Sequence, residues 1–377
     1  MAHVFIVNQD TLKYHLNYLF AGTGAKDLKI NFLQDQTNNN IRSEKLLCGM
    51  IADISRIRIG DKILFYLQAN KNHDGMFFGS FEATSEAFID NENYPTGLTK
   101  YKFLPFRITI KPYEVYSKGA TERNCLDSLK DIEHPYQMCW SLIYRKLKGN
   151  RGCTMITDYE YESIMKKIRL ENDNKKLSSN SFSYDENTNT IIPSLEKDKY
   201  EGKKEKIDIT KRLIYKFSTN HAFEAHLQAY IMQNLDKDVC SPLIEKKDLP
   251  IKWIGNEVSC GVGMQSIDCM FIQEDLSNVY FNVCELKDGY ILEEPNIDNQ
   301  ILKYINWIKD YLSPLYKKNI IIIPIIIARK NERKSNKTIQ YLNEIKEKTH
   351  LMNLKYVDFT INKSKNNIIF ESEDYDV

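Results

Sequence analysis

The most restrictive feature of this chain is a pair of apolar segments that each carry acidic residues near one end. The first segment, 265–272, reads QSIDCMFI, and the second, 279–287, reads VYFNVCELK, with a polar turn between them. Apolar runs of this length beside polar turns are typical of buried strands. If the two strands pair as neighbours, Asp268 and Glu285 converge, and Lys287 lies beside them. Two carboxylates bind Mg²⁺, and a neighbouring lysine can orient a water molecule toward a phosphate.

A helix upstream of these strands supplies a third acidic residue. The apolar spacing predicts a helix over 221–235, with Thr219 or Asn220 as its N-cap. Glu224 lies in its first turn. A glutamate at that position also interacts favourably with the helix dipole, so a purely structural role stays open for it.

The segment after Lys287 predicts a further helix and more strands. A helix over 298–311 places Gln300 and Tyr304 four residues apart, on one face. The apolar run 320–328 suits a buried strand, although Pro324 argues against a central position in a sheet. A polar helix over 336–348 and a last strand over 355–361 follow.

The order helix, strands, helix, strand resembles the PD-(D/E)XK nuclease superfamily over roughly residues 210–330, and is most similar to its NucS-like and RecB-like branches. The resemblance implies that Asp268 and Glu285 are ligands of Mg²⁺ and that Lys287 is the catalytic lysine. It assigns the acid of the preceding helix to Glu224 and the Gln-xxx-Tyr element to Gln300 and Tyr304. The proline of the superfamily's name is absent, because Ile267 precedes the aspartate. The alternative is that these are solvated polar residues at strand ends.

The first half of the chain predicts a small sheet with a hairpin. Apolar strands are expected at 3–8, 57–68 and 76–83, and the Asp-Gly turn at 74–75 favours a hairpin between the last two. Another strand is expected over 103–115, and Thr157 or Asp158 caps a helix that runs to about 168.

This pattern resembles the EVE, YTH and ASCH branches of the PUA-like superfamily, on GDKILFY at 60–66, FGSF at 78–81, LPFR at 104–107 and Arg-Gly before the capped helix. The resemblance implies a domain that holds one flipped base in an aromatic-lined pocket. The candidate pocket residues are Asn8, Tyr66, Gln68, Tyr136 and Trp140. For each of them the alternative is a structural role, either in the core or at a strand end, and the domain itself can also be a generic α+β domain.

Composition limits the remaining possibilities. A length of 377 residues favours two domains, and 42% hydrophobic residues suffice for two cores. The eight cysteines include no Cys-x-x-Cys pair, which argues against a zinc site and indicates reduced thiols in the cytoplasm. Without a signal peptide or a membrane-spanning apolar run, a cytoplasmic protein is expected. The net charge of +1 gives no support for nucleic-acid binding, but the basic segment 144–151 is a candidate for phosphate contacts.

These observations predict a fold that combines α+β and α/β parts. We expect a PUA-like β-barrel domain with helices over 1–170 and a PD-(D/E)XK α/β nuclease domain over 207–377. The segment 171–206, rich in Asn, Ser, Lys and Glu, is expected to be a linker, in which 191–193 can still dock as a short strand. The predicted function is a modification-dependent restriction endonuclease that senses a modified base and cleaves DNA with Mg²⁺. If it cuts both strands with one active site per chain, a homodimer is expected. The alternatives are an endonuclease acting on unmodified or mismatched DNA and a non-catalytic nucleic-acid binder.

Overall fold

The structure is a computed structural model, and it describes residues 1–24, 41–92, 94–98, 103–126, 132–138, 151–195, 200–260, 265–331, 335–351 and 353–372. Within these ranges the chain is a mixed α/β protein. It divides into two compact units, and the boundary between them follows Ile207. None of the described helices combines the length and the apolar character that are needed to cross a membrane.

The first unit is built on a mixed sheet. Its strands are β1 (Ala2–Val7), β2 (Phe20–Thr23), β3 (Lys62–Leu67), β4 (Met76–Ala83), β5 (Phe88–Ile89), β6 (Phe106–Pro112), β7 (Ala120–Thr121), β8 (Cys153–Ile156), β9 (Phe182–Asp185), β10 (Thr190–Pro193) and β11 (Glu205–Lys206). The main order is β11-β5-β6-β4-β3-β1-β8, while β9 and β10 form a separate hairpin.

Strand β1 lies inside this sheet, and every one of its residues is buried. It pairs with β3 in parallel and with β8 antiparallel. Strands β3 and β4 form the antiparallel pair that the Asp-Gly turn predicts. The ladders of the described residues do not close into a ring, so the expected β-barrel is replaced by an open sheet. A barrel would need hydrogen bonds between the two edge strands, β8 and β11, and the described part of the chain has no ladder between them.

Helices of the first unit are α1 (Gln9–Tyr18), α2 (Ile41–Ser55), α3 (Glu122–Leu126) and α4 (Asp158–Glu171). Helix α4 begins as the sequence predicts, because the Thr157 side chain accepts a hydrogen bond from the Glu160 amide and Glu160 bonds back to the Thr157 amide. Asn8 caps α1 in the same way, with Thr11 as its partner.

The segment expected to be a linker differs from that expectation. Part of it forms the β9–β10 hairpin, in which Phe182, Tyr184 and Ile191 are buried. The Phe182 ring meets that of Phe81, with centroids 6.4 Å apart. The low average hydrophobicity of the segment therefore does not indicate the three apolar side chains that are buried within the first unit.

The second unit contains a six-stranded sheet with helices. Its helices are α5 (Thr210–Ser218), α6 (Glu224–Asn234), α7 (Ile297–Trp307) and α8 (Ser335–Thr349). Its strands are β12 (Ile251–Ser259), β13 (Ser266–Glu274), β14 (Asn278–Leu286), β15 (Asn319–Arg329), β16 (Lys355–Asn362) and β17 (Asn367–Ser372), paired in that order. β14, β15 and β16 run parallel, and the other pairs are antiparallel.

Strand β15 is central, contrary to what its proline suggests. Pro324 lies opposite Val283 of β14, whereas the ladder with β16 begins only at Ile325. Because the ladder with β16 starts after Pro324, the absence of an amide hydrogen on this proline removes no hydrogen bond to β16.

The helix that carries Glu224 begins later than the sequence indicates. Thr219 is the C-cap of α5, and Asn220 adopts a positive φ of 54°. The two candidate N-caps therefore end one helix, and α6 starts at Glu224 with Phe223 as its N-cap.

Candidate active site

The β13–β14 hairpin brings the two predicted carboxylates together. The antiparallel register pairs Cys269 with Cys284, so the next position along each strand sets Asp268 opposite Glu285. The Asp268 Oδ2 atom accepts a hydrogen bond of 2.8 Å from the Leu286 amide, which fixes its carboxylate against the end of β14. The Gln228 side chain of α6 donates to the Asp268 carbonyl at 2.9 Å, so this strand end is held from the helix side as well.

Lys287 lies against the same carboxylate group. Its Nζ atom is 2.7 Å from Glu285 Oε1 and 3.9 Å from Glu294 Oε2. The Glu285 side chain is 2% exposed, and that of Lys287 is 14% exposed. The ammonium is therefore the more accessible end of a largely buried ion pair, where it can meet a substrate while Glu285 orients it.

Helix α7 holds the second oxygen of Glu285. Tyr304 OH lies 3.0 Å from Glu285 Oε2 and 3.0 Å from the Ser266 carbonyl, and Gln300 Nε2 donates to that hydroxyl at 2.6 Å. A tyrosine has one proton to donate, so the carboxylate and the carbonyl share it. The Gln-xxx-Tyr pair therefore acts as a support that restricts how the Glu285 carboxylate rotates.

The N-terminus of α6 is tied to the loop that follows Lys287. Asp288 Oδ2 accepts a hydrogen bond of 2.7 Å from the Phe223 amide, which precedes Glu224. The charge of Glu224 acts on both Asp268 and Lys287. The structure thus brings Glu224, Asp268, Glu285, Lys287, Gln300 and Tyr304 to one place, as the sequence predicts.

The electrostatics of the site reflect crowded negative charge. Burial and the charge of Glu285 raise the pKa of Asp268 well above its usual range. Burial also raises the pKa of Glu285, although Lys287 and the hydrogen bond from Tyr304 oppose that shift. Burial disfavours the ammonium of Lys287, but the adjacent Glu285 outweighs it and raises the pKa of the lysine. The lysine therefore stays charged, and the carboxylates lack sufficient positive charge around them.

This charge imbalance fits a divalent cation. Mg²⁺ prefers carboxylate oxygens and is commonly held by one or two of them, with water and substrate phosphate completing its shell. Asp268 and Glu285 provide that pair. The described residues contain no ready-made group of three or more His, Cys, Asp or Glu side chains around a metal position, so a metal here would depend on this pair and on non-protein oxygens.

The residues predicted to line a base pocket do not all meet. Asn8 and Gln68 follow Val7 and Leu67, which pair in the parallel β1–β3 ladder, so both leave the sheet at the same edge and are exposed. Tyr66, in contrast, is 3% exposed and belongs to the apolar core of the first unit. Its hydroxyl donates to Glu122 Oε2 at 2.5 Å. Tyr66 is a core residue here, so its ring has no open face on which a base can stack.

The remaining pocket candidates lie elsewhere or outside the described residues. Tyr136 is half-buried, and its ring meets that of Tyr159 with centroids 5.9 Å apart. Tyr159 follows the end of β8 that pairs with Ala2, and this is the opposite end of β1 from Asn8. Trp140 lies outside the described residues, as does the basic segment apart from its last residue.

That last residue, Arg151, is engaged within the first unit. Its Nε atom lies 2.9 Å from Asp53 Oδ2. Asp53 is also bonded to the fully buried Arg56, at 2.5 Å. Arg151 is therefore part of a structural ion-pair network rather than a free phosphate contact.

Sequence reasoning misses Asp288 and the Ser266 carbonyl at the candidate active site. Asp288 reads as the start of a turn, because Gly289 follows it, and a backbone carbonyl leaves no sequence signal at all. No protein-family model matches this chain, and no curated protein shows significant similarity to it.

Proposed function

We propose that the second unit is a metal-dependent phosphodiesterase that cleaves DNA. The observation that carries this proposal is the convergence of Asp268, Glu285 and Lys287 at the end of one hairpin, with Glu285 bonded to the lysine at 2.7 Å. The raised pKa of Asp268, which follows from burial and from Glu285, supports it further. Strongly perturbed carboxyl groups beside a charged partner are frequent at catalytic sites.

Each residue then has a distinct role in the proposed reaction. Asp268 and Glu285 hold Mg²⁺, which supplies charge stabilisation at the phosphoryl oxygens when it is bound. Lys287 orients the attacking water and donates hydrogen bonds toward the phosphate. Glu224 adds a carboxylate on the helix side, while Gln300 and Tyr304 hold Glu285 in position.

The first unit is proposed to sense a modified base, so that the whole chain is a modification-dependent restriction endonuclease. The support is the exposed polar end formed by Gln68 and Asn8 after two parallel strands, where the Asn8 side-chain oxygen caps α1 and the Gln68 side chain is the more available of the two. Hydrogen-bonding side chains at such an edge suit the reading of an extruded base.

A second candidate is an endonuclease that acts on unmodified or mismatched DNA. The burial of Tyr66 favours it, because that burial removes one of the expected stacking surfaces. Under this alternative the second unit keeps its proposed chemistry, and the first unit contributes binding without selecting a modification.

A cleavage assay on plasmids with and without base modification tests both candidates. With Mg²⁺ or Mn²⁺ we expect cutting that stops in EDTA, because a carboxylate pair suits hard cations. Cutting of modified plasmids alone supports the restriction endonuclease, and equal cutting supports the second candidate. Full activity in EDTA contradicts the metal-dependent chemistry.

A further inference from the structure

Arg329, the last residue of β15, has an uncommon environment. Its guanidinium carbon lies 4.6 Å from the ring centroid of Phe217 and 5.3 Å from that of Tyr290. Its backbone amide donates to the Gly289 carbonyl at 2.9 Å. Within the described ranges of the chain, no carboxylate pairs with this half-buried guanidinium. An arginine without a carboxylate partner among the described residues therefore lies close to two aromatic rings.

A second cation lies near the same ring. The Nζ atom of Lys363, which is exposed in the turn between β16 and β17, is 5.4 Å from the Phe217 centroid. The described residues hold no carboxylate ion pair for Lys363 either. Two cations therefore approach one ring, and an anion that contacts both of them would lower the energy of this arrangement.

Both cations lie at the edge of the sheet that carries the candidate active site. β14 and β15 are parallel, and the Lys287 amide donates to the Ile327 carbonyl at 2.9 Å. The short loop that runs from Lys287 to Tyr290 therefore connects the lysine of the site with one of the rings that hold Arg329. The carboxyl ends of neighbouring parallel strands lie at a common edge, where ligands of such sheets bind.

We propose that Arg329 and Lys363 form a phosphate-binding subsite, which holds a further backbone phosphate of the nucleic acid at this edge of the sheet, on the face opposite the Glu285 side chain. A planar guanidinium offers two parallel N–H donors to the oxygens of a phosphodiester, and its contacts with two rings restrict the side chain before a phosphate binds. The proposal rests on the proposed function, because it assigns another phosphate of the same substrate.

The test measures DNA binding in EDTA, so that cleavage does not enter. A labelled short duplex is titrated with the full chain at several salt concentrations. Arg329→Gln should weaken binding roughly tenfold, as expected for one charge-assisted contact. The plot of log K against log salt has a negative slope, and the magnitude of that slope should decrease by about 0.9, the value for one lost phosphate contact on duplex DNA. Arg329→Lys should keep the slope and lose part of the affinity.

A matched control removes a charge at the other end of the same strand. Lys317 is exposed just before β15 begins, and Lys317→Gln should leave affinity and slope as in the wild type. If Arg329→Gln behaves like Lys317→Gln, the subsite is ruled out. Should Arg329→Gln fail to fold, the exposed Lys363→Gln variant applies the same criterion.

The two proposals fail in different ways. A wild-type chain that binds DNA with the predicted salt slopes but does not cut it in Mg²⁺ keeps the subsite and refutes the proposed catalysis. A chain that cuts DNA with unchanged slopes in both variants keeps the catalysis and refutes the subsite.

Discussion

Tyr304→Phe tests whether the support of Glu285 matters for catalysis. The change removes the hydroxyl that lies 3.0 Å from Glu285 Oε2 and accepts a hydrogen bond of 2.6 Å from Gln300. Glu285 then keeps its contacts with Lys287 and Gln300 but loses the hydroxyl, and its carboxylate rotates more freely. The ring still fills the same space, because only one oxygen is removed.

The expected size of the effect follows from the kind of bond that is lost. A hydrogen bond to a charged group contributes about 1.5–3 kcal/mol. If about 1.4–2.8 kcal/mol of it is expressed in the transition state, kcat falls roughly 10- to 100-fold. The Tyr304 bond also lowers the pKa of Glu285, so its loss raises that pKa and moves the acidic limb of the pH–rate profile to higher pH.

The assay is single-turnover cleavage of a labelled duplex over a pH series, with DNA binding measured in parallel. The matched control is Tyr280→Phe, which removes a hydroxyl that donates to Asp275 Oδ2 at 2.8 Å, near the far end of the same hairpin. We expect the control to cut at the wild-type rate with an unchanged profile. Equal rates and profiles for Tyr304→Phe and wild type would refute the argument that Tyr304 positions Glu285.

Two further predictions concern a tether and a buried histidine. Asp288→Ala removes the acceptor of the Phe223 amide at 2.7 Å and should slow cleavage severalfold. Asp288→Asn keeps an oxygen acceptor and should retain most of the wild-type rate. Equal rates in the two variants would show that this hydrogen bond does not position the start of α6 for cleavage. Burial lowers the pKa of His3 from 6.5 to about 4, so the unfolded chain takes up a proton first as pH falls, and the first unit should lose about 2 kcal/mol of stability between pH 7 and pH 5. Hydrogen exchange of β1 amides in the full chain measures this loss, and a His3→Gln variant that retains the full pH dependence would contradict it.

The parts of the site that are local in sequence could be predicted. Asp268 and the Leu286 amide are 18 residues apart, and a strand–turn–strand pattern alone predicts that they meet. Gln300 and Tyr304 share a helix face because helical spacing determines it. The strand register, which sets Asp268 opposite Glu285, follows from the short polar turn between two apolar runs.

The remaining features depend on contacts that leave no periodic signal. Asp288 and Phe223 are 65 residues apart, and no hydrophobic pattern connects a turn residue with the start of a distant helix. The sequence leaves Tyr66 open as a pocket residue or a core residue, and its bond to Glu122, 56 residues away, forms only in the folded unit. Of the β9–β10 hairpin, the apolar residues at 191–193 indicate the second strand, whereas the polar segment around the first strand conceals the alternation of Phe182 and Tyr184.

The central claim is that Asp268 and Lys287 serve cleavage and not DNA binding. The most direct measurement compares the wild type with Asp268→Ala and Lys287→Ala, using one labelled duplex for binding in EDTA and for single-turnover cleavage in Mg²⁺. The account predicts that the wild type cuts, and that both variants bind with near wild-type affinity but do not cut. Cleavage near the wild-type rate in either variant, or a wild type that leaves the bound duplex intact in Mg²⁺, would contradict it.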